Sequence, residues 1–201
     1  MSIFRSTKFE TLEFFDDSKR RTLVCELRKS PRSRRINLRL KSPGSALLTF
    51  PQRMGWKDAE YCAKKWNGPF ALKGVMSVDD AKRAIDIGCT AIMISNHGGR
   101  QLDGSRSPFD QVKELSDAVG DQLEIILDGG IRRGTHVLKA LAAGATACSF
   151  GKMFLFSLGA GGQAGVEHLL QNMHDEINRN MVLMGCKNLS ELNNNKIIYR
   201  K

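Results

Sequence analysis

Nowhere do the 201 residues hold a continuous apolar run of the roughly 18 that a transmembrane helix needs. The opening stretch MSIFRSTKFETLEFFDDSKRR lacks the apolar h-region of a secretory signal and reads as ordinary chain. The five cysteines, Cys25, Cys62, Cys89, Cys148 and Cys186, form no CxxC pair. An odd, dispersed set fits reduced thiols that serve as packing residues. No Cys/His spacing suits zinc, so no metal site is expected. The basic stretch RKSPRSRRINLRLK (Arg28–Lys41) has no aromatics interleaved with its cations, which argues against base stacking on RNA.

What is present fits one globular domain: 41% hydrophobic and 26% charged residues. The net charge of +10 is unevenly placed. Residues 1–50 carry 12 Lys/Arg against 5 Asp/Glu, and the remainder 19 against 16. This first quarter has weak periodicity, with apolar clusters at Phe9–Phe15 and Thr22–Leu27 and a candidate strand at Ser45–Phe50. It reads as a poorly defined basic N-terminal segment. Arg28–Lys41 can attract nucleic acid or an anionic membrane surface. A solvated, partly disordered arm is the simpler reading, and no specific nucleic-acid partner is expected.

From Trp56 onward the pattern turns regular. Trp56–Trp66 reads as an amphipathic helix, Gly68–Gly74 as a strand, and Ser77 as the cap of a helix stopped by Gly88. Strands follow at Thr90–Ser95, Leu123–Asp128 and Ala145–Phe150. Helices follow from Pro108 to Gly120, over Thr135–Gly144 and over Gly165–Gly185. The strands are short continuous apolar runs, the mark of parallel strands covered on both faces. Four βα units in series give an α/β chain, either doubly wound or part of a (β/α)8 barrel.

In such folds ligands sit at the C-terminal ends of the strands. Here those ends carry Lys73; then Ser95, Asn96, His97 and Arg100; then Asp128, Gly129, Gly130 and Arg132; then Gly151 and Lys152. DGGIRRG (Asp128–Gly134) puts two glycines before a helix start, where backbone N–H groups can approach a phosphate and Arg132 can neutralise it. Gly151 and Lys152 can add contacts from the neighbouring loop. Arg100 can hold a carboxylate by two parallel hydrogen bonds while His97 takes a proton. Lys73 can stabilise negative charge developing on a cofactor ring. Taken singly, each is unremarkable: a His-Gly-Gly turn, a capped helix start, a solvated lysine. Four consecutive strand ends of this kind on one rim are not. His136, His168 and His174 read as helix-surface residues.

SNHGGRQLD (Ser95–Asp103) resembles the signature of the FMN-dependent 2-hydroxy acid dehydrogenases and oxidases. The resemblance extends through LKG, DGGIRRG, FGKMFLF, AGGQAGVEHLL and MVLMGCKNLSEL and covers roughly Gly55 to Glu191. AGGQAGV is most similar to the bacterial L-lactate dehydrogenases. The resemblance implies the C-terminal half of a (β/α)8 TIM barrel over residues 51–201, with FMN at its rim and L-lactate or a related L-2-hydroxy acid as substrate. It implies that Lys73 and Ser95 contact the flavin, and that Asp128, Gly129, Gly130, Ile131, Arg132, Gly151 and Lys152 hold the ribityl chain and phosphate. His97 would be the catalytic base and Arg100 would bind the substrate carboxylate. A cytoplasmic homo-oligomer is expected, with any membrane contact peripheral, at the inner face of the plasma membrane.

Two departures stand out. The family has arginine where this chain has Lys152, which keeps the charge and loses the planar fork. A full barrel needs about 250 residues, and the match supplies four strands. The family's substrate-facing tyrosine pair and its histidine-orienting aspartate have no counterpart in residues 1–50; the only tyrosines are Tyr61 and Tyr199. An inactive half-barrel that binds FMN or phosphate, or that serves in oligomerisation, is therefore the alternative. A basic arm carried on a barrel scaffold is a weaker third reading.

Overall fold

The computed structural model describes residues 2–5, 23–30, 33–38, 55–100 and 102–199. The four expected apolar runs form parallel strands: β4 (Phe70–Val75), β5 (Ala91–Ile94), β6 (Glu124–Asp128) and β7 (Ala147–Phe150). Between and after them run α2 (Val78–Asp86), α3 (Val112–Val119), α4 (Gly134–Ala142) and α5 (Lys152–Leu183), with α1 (Trp56–Trp66) ahead of β4. Ser77 caps α2 as expected, its Oγ accepting the Asp80 N–H at 3.2 Å.

The N-terminal quarter adds β1 (Ser2–Arg5), β2 (Leu23–Ser30) and β3 (Ser33–Leu38). The sheet order is β1-β7-β6-β5-β4-β2-β3. β2 runs parallel to β4, while β1 on β7 and β3 on β2 are antiparallel. Much of the basic stretch thus lies in β2 and β3 rather than in a disordered arm. The expected strand at Ser45–Phe50 and the cluster at Phe9–Phe15 lie outside the described residues.

Period-two alternation divides the parallel strands into two faces. Phe70, Leu72, Val75, Ile92, Ile94, Ile125, Leu127, Cys148 and Phe150 point to the helices and form the main core with them. Each large side chain buried there contributes about 1.5–3 kcal/mol. The opposite face carries a second cluster of smaller residues: Ala71, Ala91, Met93, Ile126 and Ala147. The same alternation carries Lys73, Ser95, Asp128 and Ser149 to the C-terminal end of that second face.

α5 starts thirteen residues before the helix the sequence pattern suggests. Lys152–Ala160 is helical, and the backbone breaks at Gly161 and Gly162 before the long amphipathic part. The early part escapes a periodicity reading because four of the five residues of FLFSL are apolar and leave no polar face. Among the described residues no helix is long and apolar enough to cross a membrane.

Candidate active site

At the ends of β4, β5 and β6, three side chains meet. Lys73 Nζ donates to Ser95 Oγ at 3.1 Å and pairs with Asp128 Oδ2 at 3.0 Å. Ser95 Oγ donates to the same Asp128 oxygen at 2.7 Å. It also accepts the His97 backbone N–H at 3.1 Å. A hydroxyl has one proton and two lone pairs, and all three are used here. Lys73 is only 8% exposed, so it is not the solvated strand end it resembles when read alone. A buried ammonium is tolerable only when paired, and Asp128 supplies the pair.

The loop after β5 is a short 3-10 turn, His97–Gly99, under unusual backbone constraint. His97 (φ 60°), Gly98 (φ 69°) and Gly99 (φ 74°) all lie in the left-handed region. For histidine that conformation is uncommon and is tolerated where the surroundings fix it. Three contacts fix it here: Ser95 Oγ on the His97 N–H, and Asn96 Oδ1 accepting from Gly98 N–H (3.0 Å) and Gly99 N–H (3.2 Å). Across the rim, Lys152 Nζ donates to the Gly98 carbonyl at 3.2 Å. His97 is half-buried, and Arg100 is exposed at the end of the turn.

The loop after β6 is tied down differently. Gly129 N–H donates to the Ser149 carbonyl on β7 (3.3 Å). The Ile131 side chain is buried in the main core, which leaves its backbone to face the loop. Arg132 and Arg133 are both exposed. Arg133 is occupied, because its Nε donates to Glu176 Oε1 on α5 at 2.6 Å and its Nη2 pairs with the same oxygen. Glu176 Oε2 accepts the Gly134 N–H at 2.7 Å. The Arg133 hydrogen bond, helped by Gly134, holds the Glu176 carboxyl below its ordinary range against the opposing effect of burial. The first N–H of α4 therefore already faces a carboxylate, and an anion would have to sit further back, over the glycines.

His136, read from sequence as a surface residue, reaches back to this loop. Its Nδ1 lies 3.2 Å from the Arg132 N–H and 3.1 Å from the Gly130 carbonyl. Glu176 gave no sequence signal, since an acidic residue in an amphipathic helix looks like solvated surface. Asn96 stood in plain view as the residue before His97, yet nothing in its spacing marked it as the loop's support. Tyr61 is 62% exposed on α1, and the Tyr199 hydroxyl donates to Asn194 Oδ1 at 3.1 Å.

The donor set suits an organic phosphate carrying a polar ring. Ser149 Oγ, beside Asp128 in the β6–β7 register, is fully buried and has no hydrogen-bond partner among the described residues. No atom lies within 4 Å of where a Cβ would stand on Gly130 or Gly151, so both backbones are open to a close-fitting group. Arg132 and Lys152 bring cations to the same rim. Among the described residues no group of three or more His, Cys, Asp or Glu is placed to hold a metal ion.

Comparison with known proteins identifies the family. Residues 14–199 match the FMN-dependent dehydrogenase family. The chain is 48% identical over 137 residues to pre-mycofactocin synthase of Mycobacterium tuberculosis, covering 68% of this chain and 35% of that one. It is 45% identical over 157 residues to L-lactate oxidase of Nostoc sp., covering 75% and 43%. Among solved structures, mandelate oxidase with (S)-4-hydroxymandelic acid superposes with a TM-score of 0.66 at 40% identity, covering 69% of this chain and 39% of that one. The chain thus spans less than half the length of these relatives.

Proposed function

The chain belongs to the FMN-dependent dehydrogenase family, a group of TIM-barrel flavoenzymes of which it spans a part, and on that premise we propose that it carries the FMN-holding and proton-abstracting rim of an enzyme oxidising an L-2-hydroxy acid. The Lys73–Ser95–Asp128 network is the observation that carries this reading. It places a buried, paired cation beside a loop that holds a histidine in a constrained backbone conformation. L-lactate is the first substrate to test, since both AGGQAGV and the likeness to a lactate oxidase favour it.

In this reading Arg100 binds the substrate carboxylate and fixes the orientation of C2. His97 takes the proton of the 2-hydroxyl as C2 is oxidised. FMN, when bound, supplies the two-electron acceptor for the hydride or its equivalent lost from C2. Lys73 and Ser95 would meet the flavin ring, with Asp128 holding Lys73 in place. Gly129, Gly130, Ile131, Arg132, Gly151 and Lys152 would hold the ribityl chain and phosphate. Leu155, Phe156 and Leu158 expose apolar surface at the start of α5, which supports self-association.

Titration of the purified chain with FMN tests the reading. We expect protein-bound flavin absorbance, and bleaching of that absorbance by L-lactate without oxygen. A colourless protein that takes up no FMN would sink it. The alternative reading is a flavin- or phosphate-binding module without turnover, for which the open backbones at Gly130 and Gly151 suffice. FMN uptake without bleaching by any 2-hydroxy acid would decide for the module.

A further inference from the structure

Two adjacent arginines follow the glycines of the β6–α4 loop, and their surroundings are opposite. Arg132 is exposed and, among the described residues, its side chain has no ion-pair partner. Arg133 is drawn back onto α5 by Glu176. Glu176 is buried, 8% exposed, and both of its oxygens are used: Oε1 by Arg133, Oε2 by the Gly134 N–H. Its backbone carbonyl accepts from Asn180 Nδ2 at 2.6 Å.

The contact is built closely. A Cβ at position 134 would stand 2.6 Å from the Met173 carbonyl oxygen, 2.9 Å from the Ile177 nitrogen and 3.0 Å from Glu176 Cβ. Only glycine lets the start of α4 come this near to α5. So α5 grips the last residues of the loop from behind, through a charge-assisted bond to the backbone and an ion pair to a side chain. The stretch left between β6 and this grip is Gly129 through Arg132, with the Gly129 N–H held by the Ser149 carbonyl and the Arg132 N–H met by His136.

We propose that Glu176 is a positioning residue for anion capture: it anchors the start of α4 and holds Arg133 off the rim, leaving Arg132 as the loop's cation for a phosphate monoester. The inference rests on the proposed FMN site and adds to it the assignment of the two arginines and of the residue that separates them. Glu176 touches no ligand; it acts through Gly134 and Arg133. Its loss affects the phosphate end of a ligand and spares the ring end, which Lys73 and Ser95 serve.

The test compares FMN with riboflavin, which lacks the phosphate, by fluorescence quenching on the full chain. Glu176→Gln is expected to weaken FMN about tenfold, the scale of one charge-assisted hydrogen bond, with riboflavin affinity unchanged. Arg132→Met is expected to weaken FMN at least as much, and Arg133→Met distinctly less than Arg132→Met. Equal weakening of FMN and riboflavin by Glu176→Gln, or no weakening of either, overturns the inference. So does an Arg133→Met loss as large as that of Arg132→Met, a comparison of exposed residues that survives even if Glu176→Gln fails to fold. If the unaltered chain takes up no FMN, the functional reading fails by itself. Inorganic phosphate then serves as probe: a shift of the Gly130 amide resonance lost in Arg132→Met and kept in Arg133→Met supports the inference, and no shift in the unaltered chain overturns it.

Discussion

On the helix-covered face of β4–β7 the side chains are large and apolar, from Phe70 to Phe150, and packed without exposure. On the other face the layer is small, with three alanines among five residues, and it ends in Lys73, Ser95, Asp128 and Ser149. The first face obeys packing alone, where any well-fitting apolar group will do. The second places charge and hydroxyl groups in the interior at a desolvation cost, which the mutual contacts of Lys73, Ser95 and Asp128 offset. Stability and chemistry are thus divided between two faces of the same four strands, and changes on either should separate the two.

The largest separation is expected from Phe150→Ala. It should destabilise the fold by about 3–5 kcal/mol, read by urea unfolding, while the Lys73–Ser95–Asp128 contacts persist. Asp128→Asn comes next. It leaves a nearly buried ammonium without its counter-charge, which costs about 1–3 kcal/mol with some solvent still in reach. Unlike the core change, it should also abolish flavin uptake under the proposed reading. Ser95→Ala should cost about 1 kcal/mol. Its signature is faster hydrogen exchange at His97, Gly98 and Gly99, because the hydroxyl that holds the His97 N–H is gone.

Acid acts on the contact between α5 and the start of α4. The Arg133 hydrogen bond holds the Glu176 carboxyl below its ordinary value near 4.5. Its contribution is therefore present above about pH 4.5 and is lost as pH falls through the folded value. Glu176→Gln should remove that part of the acid dependence, as thermal melts between pH 3 and 7 would show. The smallest effect concerns thiols. Burial pushes Cys89 and Cys148 up to about 12, so alkylation at about pH 8, which needs thiolate, should label half-buried Cys62 ahead of both. Early labelling of Cys148 would contradict a closed helix-covered face.

The division between the faces also explains what could be read in advance. Unbroken apolar runs announced β4–β7, and glycine and serine punctuation announced α2 and α4, because these signals are local. The rim residues showed as a group because all follow strand ends. Their wiring did not show: Lys73, Ser95 and Asp128 are joined across 22 and 33 positions, and Arg133 and Glu176 across 43. Such pairings depend on strand register and helix packing, which no window of sequence contains. Residues 1–50 gave little because their weak periodicity matches neither a helix nor a buried strand.

Ser95 Oγ joins three successive strand ends and the loop beyond them with its single proton and both lone pairs. In mechanical language it is a rivet through β4, β5 and β6. A rivet converts sliding into breakage: no one of these strands can shift along its neighbour without tearing at least one of the three bonds. The rim is thus stiff along the strand direction while the His97–Gly99 turn projects beyond it. An alteration anywhere in the sheet that slips register should reach the histidine as an abrupt release rather than a graded drift.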